Sequence, residues 1–146
     1  MMRPVAADAD LGTSGVVDVA DELALVRLLA EYGHIMDERN WSGLDRIFTP
    51  DVQCDWSAFD LAVTDGLAHL QEYFDEIRHP IAHHVTNVVA EVDATGESAT
   101  IRSKLLVVLD DGSVATGDYV DQAVRTPEGW RIRHRVARPR RRPSRR

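Results

Sequence analysis

The hydrophobic rhythm of the chain changes about halfway along. From Asp18 or Asp21, either of which suits a helix N-cap, the segment DELALVRLLAEYGHIMDERN sets Leu25, Leu28, Leu29, Tyr32 and Met36 on one stripe at helical spacing. This predicts a first helix ending near Asn40. WSGLDRIF fits a short second helix, closed at Thr49-Pro50 because proline cannot continue a helix and restrains its predecessor. DVQCDW then reads as a brief strand. After Asp65-Gly66, LAHLQEYFDEIR spaces Leu67, Leu70, Phe74 and Ile77 as a third helix, stopped by Pro80.

Beyond Pro80 the period falls to two. HHVTNVVAEVD, SATIRSKLLVVLD, SVATGDYVDQAVR and WRIRHRVARP read as strands, separated by the turn signals ATGE, DDG and TPEG. Loops this short join antiparallel neighbours. The expected fold is therefore α+β, with three N-terminal helices gathered on one face of a curved antiparallel sheet. A sheet that curls around helices leaves a cavity at its open end, where a small ligand can sit. Residues 1–17 are small, polar and glycine- and serine-rich and read as a flexible leader, 18–138 as one domain, and 139–146 as a disordered basic tail.

Composition narrows the function. The chain has 146 residues, 44% of them hydrophobic, enough for one domain with a real core. Its net charge of −7 hides an asymmetry. Six arginines lie from Arg138 onward with no acid among them, so the body up to residue 137 holds 11 basic against 24 acidic residues, a net −13. Such a body repels phosphate backbones and argues against nucleic acid as a partner. No apolar run is long enough to span a bilayer and the N-terminus lacks an apolar signal core, so the expectation is a soluble, cytoplasmic protein with no membrane partner. Cys54 has no partner for a disulfide and no CxxC pair points to zinc; it reads as a half-buried strand cysteine. There is no glycine-rich phosphate loop and no GxSxG elbow.

The stretch IAHHVTN carries two adjacent histidines at the start of a strand. Successive strand residues face opposite sides, so one of His83 and His84 points inward and the other outward, and the pair makes poor joint metal ligands.

Five pieces in order, Tyr32 with MDERNW, LDRIFTPDV, HHVTN, GDYVDQAVR and GWRIRHR, resemble the SnoaL-like branch of the nuclear transport factor 2-like superfamily, which includes scytalone dehydratase and bile-acid dehydratase relatives. They span about residues 20–138. The resemblance implies a cone-shaped α+β barrel with an interior pocket, a homo-oligomer (a dimer or a trimer), and dehydratase, cyclase or isomerase activity with neither metal nor cofactor. It matches Asp37 and His83 to an acid–base pair and leaves His84 facing out. By strand parity His83, Val85, Asn87 and Val89 then share the inward face.

The chemistry fits those residue types. Eliminating water needs a base for the proton beside a carbonyl and an acid for the departing hydroxyl, and a histidine titrating near neutrality serves both. A carboxylate bonded to its ring fixes the tautomer. Tyr32 is either a core aromatic or, as in bile-acid-type relatives, a group polarising a substrate oxygen. The second catalytic histidine of scytalone dehydratase falls on Ser103 and its strand asparagine near Tyr119; a serine can hold a hydroxyl but cannot shuttle protons at neutral pH. Gly117, Tyr119 and Asp121 share one face, Asp121 being either a second acid or the partner of Arg135. On the last strand Trp130, Ile132, His134 and Val136 share the face opposite to Arg131, Arg133 and Arg135, making His134 either a core histidine or the missing second one. Trp56 and Phe59 are placed at the pocket mouth. The leading expectation is a cofactor-independent acid–base enzyme for a small, hydrophobic, oxygenated ring compound such as a polyketide- or steroid-like intermediate. The alternative is a non-catalytic ligand-binding or dimerisation module, which Ser103 favours.

Overall fold

The computed structural model describes residues 18–141; the leader expected over 1–17 and the tail end 142–146 lie outside the described residues. Helix α1 (Val19–Asp37) starts at Asp18, whose side chain accepts the backbone N–H of Ala20 at 3.1 Å. The predicted stripe of Leu25, Leu28, Leu29, Tyr32 and Met36 is buried, joined by Ile35. The helix ends three residues earlier than expected, because Arg39 turns into the left-handed region at φ 55°. A 3-10 helix, Trp41–Arg46, fills the place of the second helix. Pro50 does not terminate it: strand β1 (Phe48–Asp55) has already begun and runs through the proline. The ladder to its neighbour is irregular between Phe48 and Gln53, so the missing N–H breaks no regular pairing there.

A short strand that the sequence pattern did not reveal, β2 (Val63–Asp65), leads into helix α2 (Leu67–Glu76). Four long strands follow, β3 (Ala82–Val92), β4 (Ser98–Val108), β5 (Val114–Thr126) and β6 (Gly129–Pro139). The sheet order is β2-β1-β6-β5-β4-β3, antiparallel throughout except where β1 lies parallel to β6. The fold is α+β as expected. β2 and β3 remain separate edges, however, so the implied barrel is a curved, unclosed sheet. β6 reaches Pro139, and Arg140 is held by its N–H to the Thr116 carbonyl and its Nε to Asp118, so the first residues assigned to the tail belong to the sheet. Among the described residues no helix is long and apolar enough to cross a membrane.

Two bulges correct the side-chain parity. In β3, Asn87 adopts φ 52° and the pairing with β4 slips between Thr86 and Val89, so two residues oppose one. His83 and Val85 face inward, but beyond the bulge Val88 and Ala90 do, while Asn87 is exposed and Val89 is 47% exposed. In β6, His134 pairs with Gln122 and Ile132 with Ala123, leaving Arg133 unopposed. The inward sequence is therefore Trp130, Ile132, Arg135, Ala137, and His134 lies on the outer face beside Gln53 and Gln122.

That second slip buries a cation. Arg135 is fully buried and grips Asp121 with two bonds, Nε–Oδ1 2.7 Å and Nη2–Oδ2 2.8 Å. Its guanidinium carbon sits 3.9 Å from the Tyr119 ring centroid and 4.4 Å from that of Tyr32. The ion-pair reading of Asp121 thus holds. Removing one partner strands a buried charge, which typically costs about 3–5 kcal/mol, whereas replacing both by apolar groups of similar volume is nearly neutral. In urea unfolding, Asp121→Ala is expected to lose that much stability, and the double change Asp121→Leu with Arg135→Met much less.

Candidate active site

The last residue of α1 meets the second residue of β3. Oδ1 of Asp37 accepts the backbone N–H of His83 at 2.8 Å and lies 2.8 Å from its Nδ1. A carboxylate only accepts, so Nδ1 of the neutral ring carries the hydrogen and Nε2 holds the lone pair. Close helix–strand packing makes the contact possible: a Cβ on Gly33, one turn before Asp37, would stand 2.9 Å from the His83 carbonyl oxygen. Only glycine lets α1 approach β3 this closely. His84, facing the other side, is exposed.

His83 borders a cavity of about 120 Å³ between α1, α2 and the inner face of the sheet. Tyr32, Met36, Trp56, Phe74, Leu105, Val107 and Tyr119 form its walls, with Phe59, Leu61, Ile77, Arg78, His79 and Pro80 toward the opening. There Arg78 pairs with Asp110 across the α2–β3 loop and the β4–β5 turn. Of the residues singled out from sequence, Asp37, His83, Tyr32, Trp56, Phe59 and Tyr119 are thus gathered at one place. Asp121 lies behind the tyrosines with Arg135, and Ser103 is buried with its hydroxyl unpartnered but does not line this cavity. Asn87 and His134 are outside it, for the parity reasons above. Sequence reasoning missed His79, and it named Arg135 as a partner for Asp121 but set it on the face opposite to Trp130 and Ile132, not in the core where it lies. A third histidine four residues before His83 was visible, but it sits before a proline, outside any periodic pattern.

The family model for the SnoaL-like domain matches residues 17–136. The chain belongs to the SnoaL-like family. An uncharacterized Mycobacterium tuberculosis protein, Rv2910c, is 33% identical over 141 residues, covering 87% of this chain and 90% of its own. Among solved structures, a proposed aromatic ring hydroxylase from Novosphingobium aromaticivorans is similar at TM-score 0.68 and 28% identity, over 84% of this chain and 90% of that one. A proposed scytalone dehydratase from the same organism aligns at TM-score 0.71 and 18% identity, over 84% and 85% of the two chains, a likeness of fold.

The electrostatics of this SnoaL-like cavity favour neutral groups. Burial pushes the His83 imidazole below its ordinary value, against the hydrogen bond and charge of Asp37; Arg39 and His84 push the same way as burial. Burial raises the phenols of Tyr32 and Tyr119, against the pull of Arg135. Arg135 itself is disfavoured by burial, but the Asp121 carboxylate outweighs this and keeps it charged. Cys54 is fully buried rather than half-buried, and its thiol is pushed up to about 12 by burial, which makes it a core residue. Among the described residues no three His, Cys, Asp or Glu side chains converge as a metal site.

Since Asp37 is the group that opposes burial at His83, its neutralisation has a determined sign. Asp37→Asn is expected to move the His83 titration to lower pH, read by the ring proton shifts in an NMR titration. An unchanged or upward shift would show that the carboxylate does not stabilise the imidazolium.

Proposed function

We propose that the protein is a cofactor-independent acid–base enzyme of the dehydratase, cyclase or isomerase type, acting on a small, apolar, oxygenated ring compound. The observation that carries this reading is the Asp37–His83 pair at the wall of an apolar cavity, with the ring tautomer fixed so that Nε2 is the basic atom. In this scheme Nε2 takes a proton from carbon beside a carbonyl, and the imidazolium formed is stabilised by Asp37. Tyr32 or Tyr119, kept protonated by burial, donates to the carbonyl oxygen as charge develops on it. In elimination the same imidazolium returns its proton to the departing hydroxyl; in isomerisation it returns it to carbon.

The cavity volume bears on substrate size. At about 120 Å³ it approaches the roughly 150 Å³ of an engineered cavity that holds benzene. One ring fits. A polyketide- or steroid-like compound would present a single ring to His83, with the rest in the adjoining groove of Arg78, Pro80, Leu109 and Asp110. The 28% identical neighbour, a proposed aromatic ring hydroxylase, supports a ring compound as the substrate.

His83→Ala is expected to lower turnover of a matching substrate by about 10²–10⁴-fold with circular dichroism unchanged, and His84→Ala to leave most of it. Binding without turnover in the unaltered protein would favour the ligand-binding module instead. The reading extends to self-association through the outer face of the sheet, where Val89, Leu106 and Val120 are 47%, 40% and 41% exposed. Light scattering should find a homo-oligomer that Val120→Glu weakens; a monomer at all concentrations would refute this part.

A further inference from the structure

The outer face of the sheet, away from the cavity of His83, gathers positive charge on an otherwise acidic body. Strand pairing sets Lys104 of β4, Asp118 of β5 and Arg138 of β6 side by side. Arg102 is the next outward residue along β4, and Arg140 follows Arg138 along the same line. All five line a cavity of about 300 Å³, with the exposed Asn87 at its edge. Four cations thus stand with one carboxylate, a net +3, on a chain that carries −13 up to residue 137. That carboxylate is already committed: Lys104 Nζ lies 3.0 Å from Oδ1 of Asp118, and Arg140 Nε lies 2.9 Å from Oδ2. Among the described residues Arg102 and Arg138 form no ion pair; Asp55 senses the charge of Arg138, but its carboxylate bonds Ser57 instead. Asn87 Oδ1 accepts the Thr86 hydroxyl at 3.1 Å, which leaves Nδ2 as a donor. Like charges on neighbouring strands oppose folding, and a bound anion is what would offset them.

We infer that this cavity binds the diphosphate group of a small molecule. Arg102 and Arg138 stand on β4 and β6, two strand spacings or about 9.5 Å apart at the backbone. A diphosphate, with oxygens clustered at each end, bridges that span better than a single carboxylate, and each planar guanidinium can meet two of its oxygens. A nucleic acid strand would overrun the patch onto the acidic surface around it, so the anion is a short one. Val89 and Val120, also in the cavity wall, offer an apolar rest for the organic part. They belong as well to the face proposed for self-association, where the anion would neutralise cations that two copies set against each other. Asp37 and His83 take no part in this site, so it stands or falls apart from the acid–base reading.

The test uses the full chain with inorganic pyrophosphate as the probe and phosphate as the comparison, followed by NMR of the backbone amides. Pyrophosphate should shift Asn87, Lys104, Asp118 and Arg138 and bind about tenfold more tightly than phosphate, the size of one further charged hydrogen bond. Arg102→Gln and Arg138→Gln should each weaken it by about tenfold. Asn87→Asp, which still suits the left-handed backbone but replaces the donor by a carboxylate, should weaken it as well. Arg133→Gln removes the same charge from β6 outside the cavity and should change nothing. Equal affinity for phosphate and pyrophosphate, or an equal loss in Arg133→Gln and Arg102→Gln, would reduce the effect to general charge and overturn the site. Tighter binding of a single-stranded oligonucleotide than of pyrophosphate would make this face a nucleic-acid surface and overturn it too.

Discussion

Oδ1 of Asp37 accepts two hydrogen bonds from one residue, the backbone N–H and the ring of His83, each at 2.8 Å. Forty-six positions of sequence separate them, so the contact exists only once β3 is docked on α1. It therefore sets the position of everything that follows in β3. Gly33 allows the approach, and Arg39 secures it from the other side. Arg39 Nη1 donates to the Met36 carbonyl while Nη2 reaches the carbonyls of His79 and Pro80. The helix end, the loop carrying His79 and the start of β3 thus form one hydrogen-bonded unit, and the two histidine rings inherit their spacing from it.

The opposite wall is organised by a second buried charge pair. Arg135 and Asp121 bring no polar group into the cavity, yet they determine what stands there, because the guanidinium plane supports the rings of Tyr32 and Tyr119. Those rings meet edge to face with centroids 6.0 Å apart. One nitrogen of Arg135, Nη1, has no hydrogen-bond partner, so the aromatic faces are its principal company. The site is in this sense built from two ion-supported aromatic and imidazole groups facing each other across an otherwise hydrocarbon space.

Much of this was legible in the chain. The helical stripe of α1, the proline-bounded α2 and the four turn-separated strands gave the α+β class and nearly all element positions. Asp37, His83 and the inward Tyr119 followed from the motif resemblance and parity together. Parity failed only beyond bulges, since counting by twos assumes an unbroken ladder. Asn87 held a clue in hindsight, as asparagine tolerates the left-handed conformation that a bulge of this kind uses. In RIRHRV nothing local marks Arg133 as the extra residue. A buried arginine on an inner face is also the opposite of what hydrophobicity suggests, and only its pairing with Asp121 on the adjacent strand makes it tenable. His79 escaped because loop residues follow no period.

The bulge at Asn87 has a consequence at the border of the sheet. β3 is an edge strand of eleven residues, covered by α1 at His83, but the stretch beyond is long enough to template a strand from another molecule through its free backbone groups. An uninterrupted ladder of that length, carrying valines at positions 85, 88 and 89, would invite edge-to-edge growth and amyloid-like stacking. The left-handed turn at Asn87 twists the strand midway and puts its two halves out of register, so no straight partner can pair along all of it. The irregularity that misleads a parity count thus guards the protein against its own propensity to aggregate.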